Sequence, residues 1–298
     1  MSWLQYAIFA QLIYTIVVFI DKYIVSKEVK DYQGLPIFTT FIGFVAGFLF
    51  WIFTGFPTLS TSDALIVLGT GILTIWGTYF YFKAISSDES STVIILMQMI
   101  PVVVLILAFI FLNEKLTLFQ FLGFLLILVS TTAISLEKTA VKIKLSHTFM
   151  DMIIVDIFWA GAAVLIKFAV ETNSFSKILP YESWGIGIGG VFLYIFLSKV
   201  RRSFHKTLKI IRFRALVIML SNEVLYIVAK SLTYFAYFLG PVTLVSIISG
   251  TQVIFGIIFG VLLTIFLPEF FIEDINTGTI VKKSIFAIIA LSGIVLIS

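Results

Sequence analysis

The stretch SNEVLYIVAKS, residues 221–231, lies inside an apolar run that extends from Ala215 to Phe238. The run is long enough to cross a hydrocarbon layer about 30 Å thick, which takes about 20 helical residues. The whole chain shares this character: 60% of its 298 residues are hydrophobic and 12% are charged. Soluble domains carry about 25% charged residues, so most of this protein's surface must face lipid. The sequence predicts an integral protein that crosses the cell membrane several times.

Ten segments meet the same length criterion and are separated by turn residues and charges. Irregular backbone cannot face lipid, and strands would require a closed barrel with alternating apolar residues, which these segments do not show. We therefore expect an all-α membrane fold of ten transmembrane helices in the lipid bilayer. The predicted spans are 3–25, 35–56, 63–85, 91–112, 117–136, 149–171, 179–199, 213–238, 241–267 and 281–298.

The second half of the chain repeats motifs of the first half in the same order, which predicts an internal duplication of five helices. The expected units are residues 1–138 and 139–298. Because five is an odd number, the second unit starts on the opposite side of the membrane, an inverted repeat typical of secondary transporters. The matched motifs are YTIVVFIDKY (14–23) with WAGAAVLIKF (159–168), GFVAG (43–47) with GIGIG (185–189), FLNEKL (111–116) with FLPEFF (266–271), and LLILVSTTAIS (125–135) with IIALSGIVLIS (288–298).

Ionisable residues inside the spans are the first candidates for a functional site. Glu223 and Lys230 share a helix face but stand about 10.5 Å apart along the axis, so they cannot pair directly. Asp156 and Lys167 form a similar pair in span six. Each such group costs about 2.5 to 3.5 kcal/mol at a helix centre, which favours a hydrated interior that these side chains face. The alternative is a set of buried ion pairs that serve assembly alone.

Polar and aromatic residues near the middle of spans extend this candidate cavity. Gln98 precedes a proline in span four, and Ser249 and Gln252 lie in span nine. Trp76 and Trp159 lie mid-span, whereas interfacial tryptophans lie near the ends of spans. These side chains either contact a solute or make ordinary contacts between helices.

Glycines and prolines mark the candidate packing and hinge positions. The glycine pairs have the small-xxx-small spacing that lets helix backbones approach, either within the chain or between two copies in a homodimer. A proline in a span frees a carbonyl and bends the helix. The candidates are Gly43, Gly47, Pro101, Gly185, Gly189 and Pro241.

Acidic residues at the ends of spans have two interpretations. Glu114 and Glu269 follow spans four and nine at matched positions. They either form part of a gate or are solvated. Asp88 and Glu89, in SSDESS, are most simply a solvated turn.

No constellation for catalysis or metal binding is present in the sequence. His147 and His205 lie in loops far apart, which gives little support to zinc binding or general-base catalysis. The motifs HExxH and GxSxG and a P-loop are missing, and the absence of cysteine excludes thiolate chemistry. We expect no enzyme activity, no cofactor, no bound metal and no nucleic-acid partner.

The motifs resemble those of the EamA-like family, the ten-helix branch of the drug/metabolite transporter superfamily. The first helix of each half of that family carries Trp-Gly and then Lys; here these are YTIVVFIDK, without the Trp-Gly, and WAGAAVLIK, with Ala for Gly. The segment AISSDESSTVIILMQMIPVVVLILAFIFLNEKL (84–116) is similar to the family's fourth helix and following turn. The resemblance implies a central cavity lined largely by helices one, three, four, six, eight and nine, and export of small metabolites. It supports Lys22, Lys167, Pro101 and Glu114 as family positions.

These observations lead to a functional hypothesis: a secondary transporter that moves a small polar or amphipathic metabolite, such as an amino acid or an aromatic compound. Lys167 and Lys230 would offer positive charge to a carboxylate of this small-molecule substrate, and Asp156 or Glu223 would titrate if transport is coupled to protons. A counter-solute is the other form of coupling. Two alternatives stay open: a nucleotide-sugar or lipid-linked sugar carrier of the same fold, and a membrane scaffold that transports nothing.

Basic residues are distributed unequally between the loops. The loops after odd-numbered spans hold most of them, including seven between Lys199 and Arg214, whereas those after even-numbered spans hold only Lys115 and Lys177. The positive-inside rule therefore places both termini outside the cell, whereas the family resemblance implies termini inside.

A reporter fused after Ser298 distinguishes these two orientations. We expect an extracytoplasmic signal, because translocation of KVRRSFHKTLKIIRFR (199–214) across the membrane would be costly. The measurement is the paired activity of a periplasmic-type and a cytoplasmic-type reporter at this position. A cytoplasmic signal would contradict the charge argument and support the orientation that the resemblance implies.

Overall fold

The computed structural model of the protein describes residues 2–29, 31–111, 117–134, 136–138, 143–145, 147–271, 274 and 276–297. Helices dominate these ranges, as the sequence predicts. Their bounds are α1 Trp3–Tyr23, α2 Leu35–Phe53, α3 Thr61–Ser87, α4 Ser90–Leu96, α5 Met99–Phe111, α6 Leu118–Ile134, α7 His147–Thr172, α8 Phe175–Phe196, α9 Ser198–Ile210, α10 Phe213–Leu239, α11 Val242–Ile248, α12 Thr251–Phe266 and α13 Thr277–Ile297.

Seven segments in the described ranges are long and apolar enough to cross a membrane. The prediction of a helical protein that crosses the membrane several times is therefore confirmed. The count of ten spans in two inverted units stays a prediction. The seven segments are Trp3–Glu28, Tyr32–Phe53, Thr61–Ser87, Ser90–Phe111, His147–Thr172, Phe175–Phe196 and Phe213–Leu239.

The predicted span at 91–112 is interrupted between α4 and α5. Pro101 explains the break, because it has no N–H to donate to Met97 and its ring opposes the carbonyl four residues earlier. Ile100 donates instead to the Met97 carbonyl (3.0 Å), which closes a tighter turn. Pro101 thus lies in the first turn of α5, where a missing N–H is tolerated.

The predicted span at 241–267 is interrupted in a similar way between α11 and α12. The Ser249 hydroxyl donates to the Ser246 carbonyl (2.5 Å) at this break. Pro241 directly precedes α11, and its carbonyl accepts the N–H of Val245 (3.1 Å). Both α4 and α11 are seven residues long. Two spans therefore break at corresponding positions, each after a short helix.

Two short strands depart from the all-helical expectation. β1 (Leu136–Lys138) and β2 (Ile143–Leu145) pair in an antiparallel register with Leu136 opposite Leu145. The residues of β2 alternate between apolar and charged, which is the period of a strand and not of a helix. The pair lies between α6 and α7, outside the seven membrane segments.

Helix α9 carries most of the basic residues of the segment 199–214 and packs beside the start of α2. Ser203 donates to the Asp31 carbonyl (3.2 Å). A Cβ at Gly34 would lie 2.6 Å from the backbone nitrogen of Phe204, so only glycine allows this approach. The basic side chains lie mostly on the exposed face. This geometry suits a helix that lies along the membrane surface.

The four predicted packing glycines all lie at helix contacts within the chain. Gly43 and Gly47 of α2 face Ile186 and Trp184 of α8, and Gly189 of α8 faces α3. The closest crossing is between α3 and α8: a Cβ at Gly71 would lie 2.1 Å from the Glu182 carbonyl oxygen, and one at Gly185 would lie 2.2 Å from that of Leu68. Small residues let these two backbones approach, and this crossing positions Glu182 for the site.

We expect Gly71→Ala to destabilise the protein by about 1 to 3 kcal/mol, because the new methyl group meets the α8 backbone and the helices must separate. Gly69→Ala is the matched control, since nothing lies within 4 Å of a Cβ there. Thermal unfolding of both variants in detergent is the measurement. Equal melting temperatures would contradict the close crossing.

Candidate functional site

Two cavities lie in the interior between the helices and share three lining residues, Met97, Trp159 and Tyr226. The larger has a volume of about 160 Å³ and the smaller about 50 Å³. Trp159 is held at their boundary because its Nε1 donates to the Thr74 carbonyl (3.2 Å). The two cavities are therefore adjacent and lie beside the break between α4 and α5, at Met97.

The larger cavity has mostly aromatic and neutral polar walls. Tyrosines from α1 and α10 line it, and the break between α11 and α12 contributes serine and glutamine. Two predicted site residues, Ser249 and Gln252, lie here. Its polar and aromatic lining comprises Gln11, Tyr14, Thr74, Trp159, Tyr226, Lys230, Thr233, Tyr234, Tyr237, Ser246, Ser249 and Gln252.

Lys230 lines the larger cavity but is already paired. Its Nζ lies 2.6 Å from Oε2 of Glu182, and the Tyr234 hydroxyl donates to Oε1 of the same carboxylate (3.3 Å). The Glu182 side chain is 0% exposed and that of Lys230 is 3% exposed. The ammonium also lies 5.7 Å from the centre of the Tyr226 ring. The positive charge is therefore balanced inside the protein.

Glu182 was missed by the sequence reasoning. It is an ionisable residue inside a predicted span, the same signal that selected Glu223. Its partner Lys230 lies 48 residues away, so their pairing follows from the way α8 packs near α10.

The smaller cavity is lined by two carboxylates, and all their hydrogen-bond donors among the described residues are neutral groups. Asp21 accepts from the Tyr81 hydroxyl (2.9 Å) and from Nδ2 of Asn222 (2.8 Å). Glu223 accepts from the Thr39 hydroxyl. Asp21 was also missed, although it is acidic and lies within span one. Acidic groups from α1 and α10 thus face the same cavity.

The two lysines in the first helix of each predicted unit do not line either cavity, contrary to the expectation. Nζ of Lys22 donates to the carbonyls of Ile85 (2.9 Å) and Asp88 (2.6 Å) at the end of α3. Nζ of Lys167 donates to the carbonyls of Tyr237 and Gly240, both at 3.3 Å, at the end of α10. These ammonium groups lie at helix C-termini because the last carbonyls there have no helical partner.

Two further predicted residues lie outside the cavities. Trp76 packs against a buried apolar cluster that includes Ile75 of α3 and Ile186 of α8. Gln98 is buried, and its Nε2 donates to the Ile94 carbonyl (3.0 Å), beside the break that ends α4. The orientation of each helix about its own axis explains why neither side chain lines a cavity, because adjacent positions on a helix face different neighbours.

Asp156 is buried, and neither of its carboxyl oxygens has a hydrogen-bond partner among the described residues. It lines neither cavity, so the structure does not bring it together with Glu223. The neighbouring Trp159 lies one helical turn further along α7 and takes the cavity position.

The acidic residues predicted at the ends of spans lie in different settings, and the gate role stays a prediction. Glu114 lies outside the described residues, and Glu269 lies exposed in the turn after α12. Glu89 is not part of a solvated turn, because it pairs with Lys283 of α13, which also donates to Ser91 (2.7 Å). Asp88 is half-buried. Burial raises the pKa of its carboxyl, and the N–H of Glu89 acts in the opposite direction.

Comparison with known proteins confirms the family resemblance. Residues 1–136 match the model of the EamA-like transporter family. A protein known from its crystal structure aligns with 95% of this chain and 95% of its own, at 14% identity and a TM-score of 0.55, and 27 solved chains match in all. These structures show a shared fold. No curated protein matches the chain. The chain is a multi-pass membrane protein, and its first 136 residues match the model of a family of transporters.

We expect Glu182→Leu to lower the free energy of unfolding by about 3 to 5 kcal/mol, because it leaves the Lys230 ammonium buried without its counter-charge. The double variant Glu182→Leu/Lys230→Leu should recover most of this loss, since both charges are then absent. Chemical unfolding in detergent measures both variants. A double variant as unstable as the single one would contradict the pairing.

Proposed function

We propose that this chain, whose first 136 residues match the model of the EamA-like transporter family, is a secondary transporter that exports a small amphipathic metabolite by alternating access. The observation that carries the proposal is the larger cavity, which is lined by residues of both the α4–α5 break and the α11–α12 break and has the smaller cavity beside it. Non-helical backbone at membrane depth is tolerated where it lines a cavity. In transporters with inverted repeats, discontinuous helices form the substrate site in this way.

The observed order of helices is explained best by ten spans in two units. α4 with α5, and α11 with α12, each count as one broken span, α6 and α13 complete the units, and α9 lies at the surface. The units are residues 1–138 and 139–298. Lys22 and Lys167 support this division into two units. Each ammonium binds two carbonyls that are three residues apart at the end of the third spanning helix of its own unit.

Contacts between the two units at both ends of the helices support alternating access. At the end where α3 finishes and α7 begins, Lys83 pairs with Asp151 (2.7 Å). Glu89 and Lys283 pair at the same end. At the opposite end, Nδ2 of Asn173 donates to Asp63 (3.0 Å). These polar contacts are partly solvated, so they can open and re-form at low cost.

The cavity walls support a solute with an aromatic or apolar body. Tyr14, Trp159, Tyr226, Tyr234 and Tyr237 surround a space of about 160 Å³, enough for a single-ring compound or a small amino acid. A sugar nucleotide would need cationic groups for its phosphates. Lys230 is the basic residue among the described lining residues, and Glu182 holds it. The cavity therefore favours a metabolite over a nucleotide-sugar or lipid-linked sugar.

Uptake by purified protein in liposomes tests this function with a panel of labelled single-ring compounds and amino acids, with and without a pH gradient. We expect Trp159→Ala to lower the initial rate about tenfold or more, because this ring borders both cavities. Trp76→Ala is the matched control, since its ring lies mid-span on α3 but faces α8. Uptake of no solute in any condition would overturn the proposal, and equal losses in both variants would contradict the site.

A further inference from the structure

We infer that the transported solute is an organic cation, an amine with an aromatic or apolar body, whose ammonium group binds in the smaller cavity between Asp21, Asn222 and Glu223. This inference rests on the transport function proposed above and names its substrate class.

The first argument is the charge of the joined cavities. Asp21 and Glu223 accept hydrogen bonds only from neutral donors, and neither makes an ion pair with a described lysine or arginine. Lys230 lies about 10.5 Å along α10 from Glu223 and is balanced by Glu182. The lining therefore holds two acidic side chains without a counter-charge, and a cationic solute would supply one for their ionised forms.

The second argument comes from a neutral side chain beside the carboxylates. Asn222 is buried and lines the smaller cavity, and its Nδ2 donates to Asp21. Its Oδ1 is thereby fixed as an acceptor, and it has no donor among the described residues. A buried acceptor of this kind is costly unless a donor reaches it. An ammonium group carries up to three N–H donors, one for each of Asp21, Asn222 and Glu223.

The aromatic walls extend the fit from the ammonium to the rest of the solute. Trp159 and Tyr226 border both cavities, so they flank the path from the carboxylates into the larger one. Aromatic faces attract cations, and Tyr226 already stands 5.7 Å from the Lys230 ammonium. The apolar body of an amine can occupy the larger cavity while its charged end remains beside Asp21.

The same geometry disfavours the carboxylate solute expected from the lysines. Lys22 and Lys167 bind helix-end carbonyls, and Lys230 binds Glu182. A zwitterion or an anion would place its carboxylate in a cavity whose basic group is already paired. The solute is therefore distinguished by its charge more than by its ring.

Three compounds with one common ring test the inference: tyramine, a cation; tyrosine, a zwitterion; and 4-hydroxyphenylacetate, an anion. Uptake of each labelled compound into liposomes containing the protein is measured at neutral pH, with protein-free liposomes subtracted. We expect tyramine to enter about tenfold faster than the other two, because only its charge matches the carboxylates. Binding of tyramine in detergent, followed by tryptophan fluorescence, gives a second readout.

Two isosteric variants test the site. Glu223→Gln and Asp21→Asn should each lower tyramine uptake and binding about tenfold, with Glu28→Gln, a carboxylate beyond both cavities, as the unchanged control. Size-exclusion profiles show which variants are folded, and the two positions provide independent tests if one is not.

The outcomes separate this inference from the transport function itself. Uptake of tyrosine or 4-hydroxyphenylacetate in preference to tyramine would overturn the cation assignment and leave the transporter intact. Uptake of tyramine that is unchanged in both folded variants would overturn the site. Uptake of none of the three, together with failure of the wider solute panel, would overturn the transport function.

Discussion

The requirement that polar backbone groups be hydrogen-bonded within the membrane governs the rest of this structure. The helices satisfy most of these groups internally, and the exceptions in the described residues include the ends of α3 and α10 and the two broken spans. Lys22 and Lys167 supply donors for carbonyls at the two helix ends. The broken spans face the interior cavities, where polar groups from other helices are within reach. The same constraint therefore positions the lysines and accounts for the broken helices beside the cavities.

Buried charge follows a related rule. An ionised group away from water needs a counter-charge or several hydrogen bonds. Lys230 has Glu182, whereas Asp21 and Glu223 have hydroxyl and amide donors only. This difference makes one cavity electrically balanced and the other acidic, although the two share Trp159 and Tyr226. The proposed binding site and its charge selectivity both rest on which charges remain without a counter-charge.

Sequence reasoning identified helical segments well and individual site residues less well. Ser249, Gln252, Trp159, Glu223 and Lys230 were selected from their mid-span positions and do line the cavities. Trp76, Gln98, Asp156, Lys22 and Lys167 were selected by the same signals and do not. The polarity of a side chain and its position in the middle of a span show that the residue needs a partner inside the protein. They do not show whether that partner is a cavity, a carbonyl or another side chain.

The sequence by itself determined the membrane class, the helical segments and the family resemblance, because these depend on composition, on run length and on motifs along the chain. Tertiary structure alone decided that Glu182 pairs with Lys230 and that Asp21 meets Asn222 across 201 residues. The rotation of each helix and the close crossing of α3 and α8 bring these groups together, and both are set by side-chain packing between distant segments. Periodicity within one helix cannot specify which face of another helix it will meet.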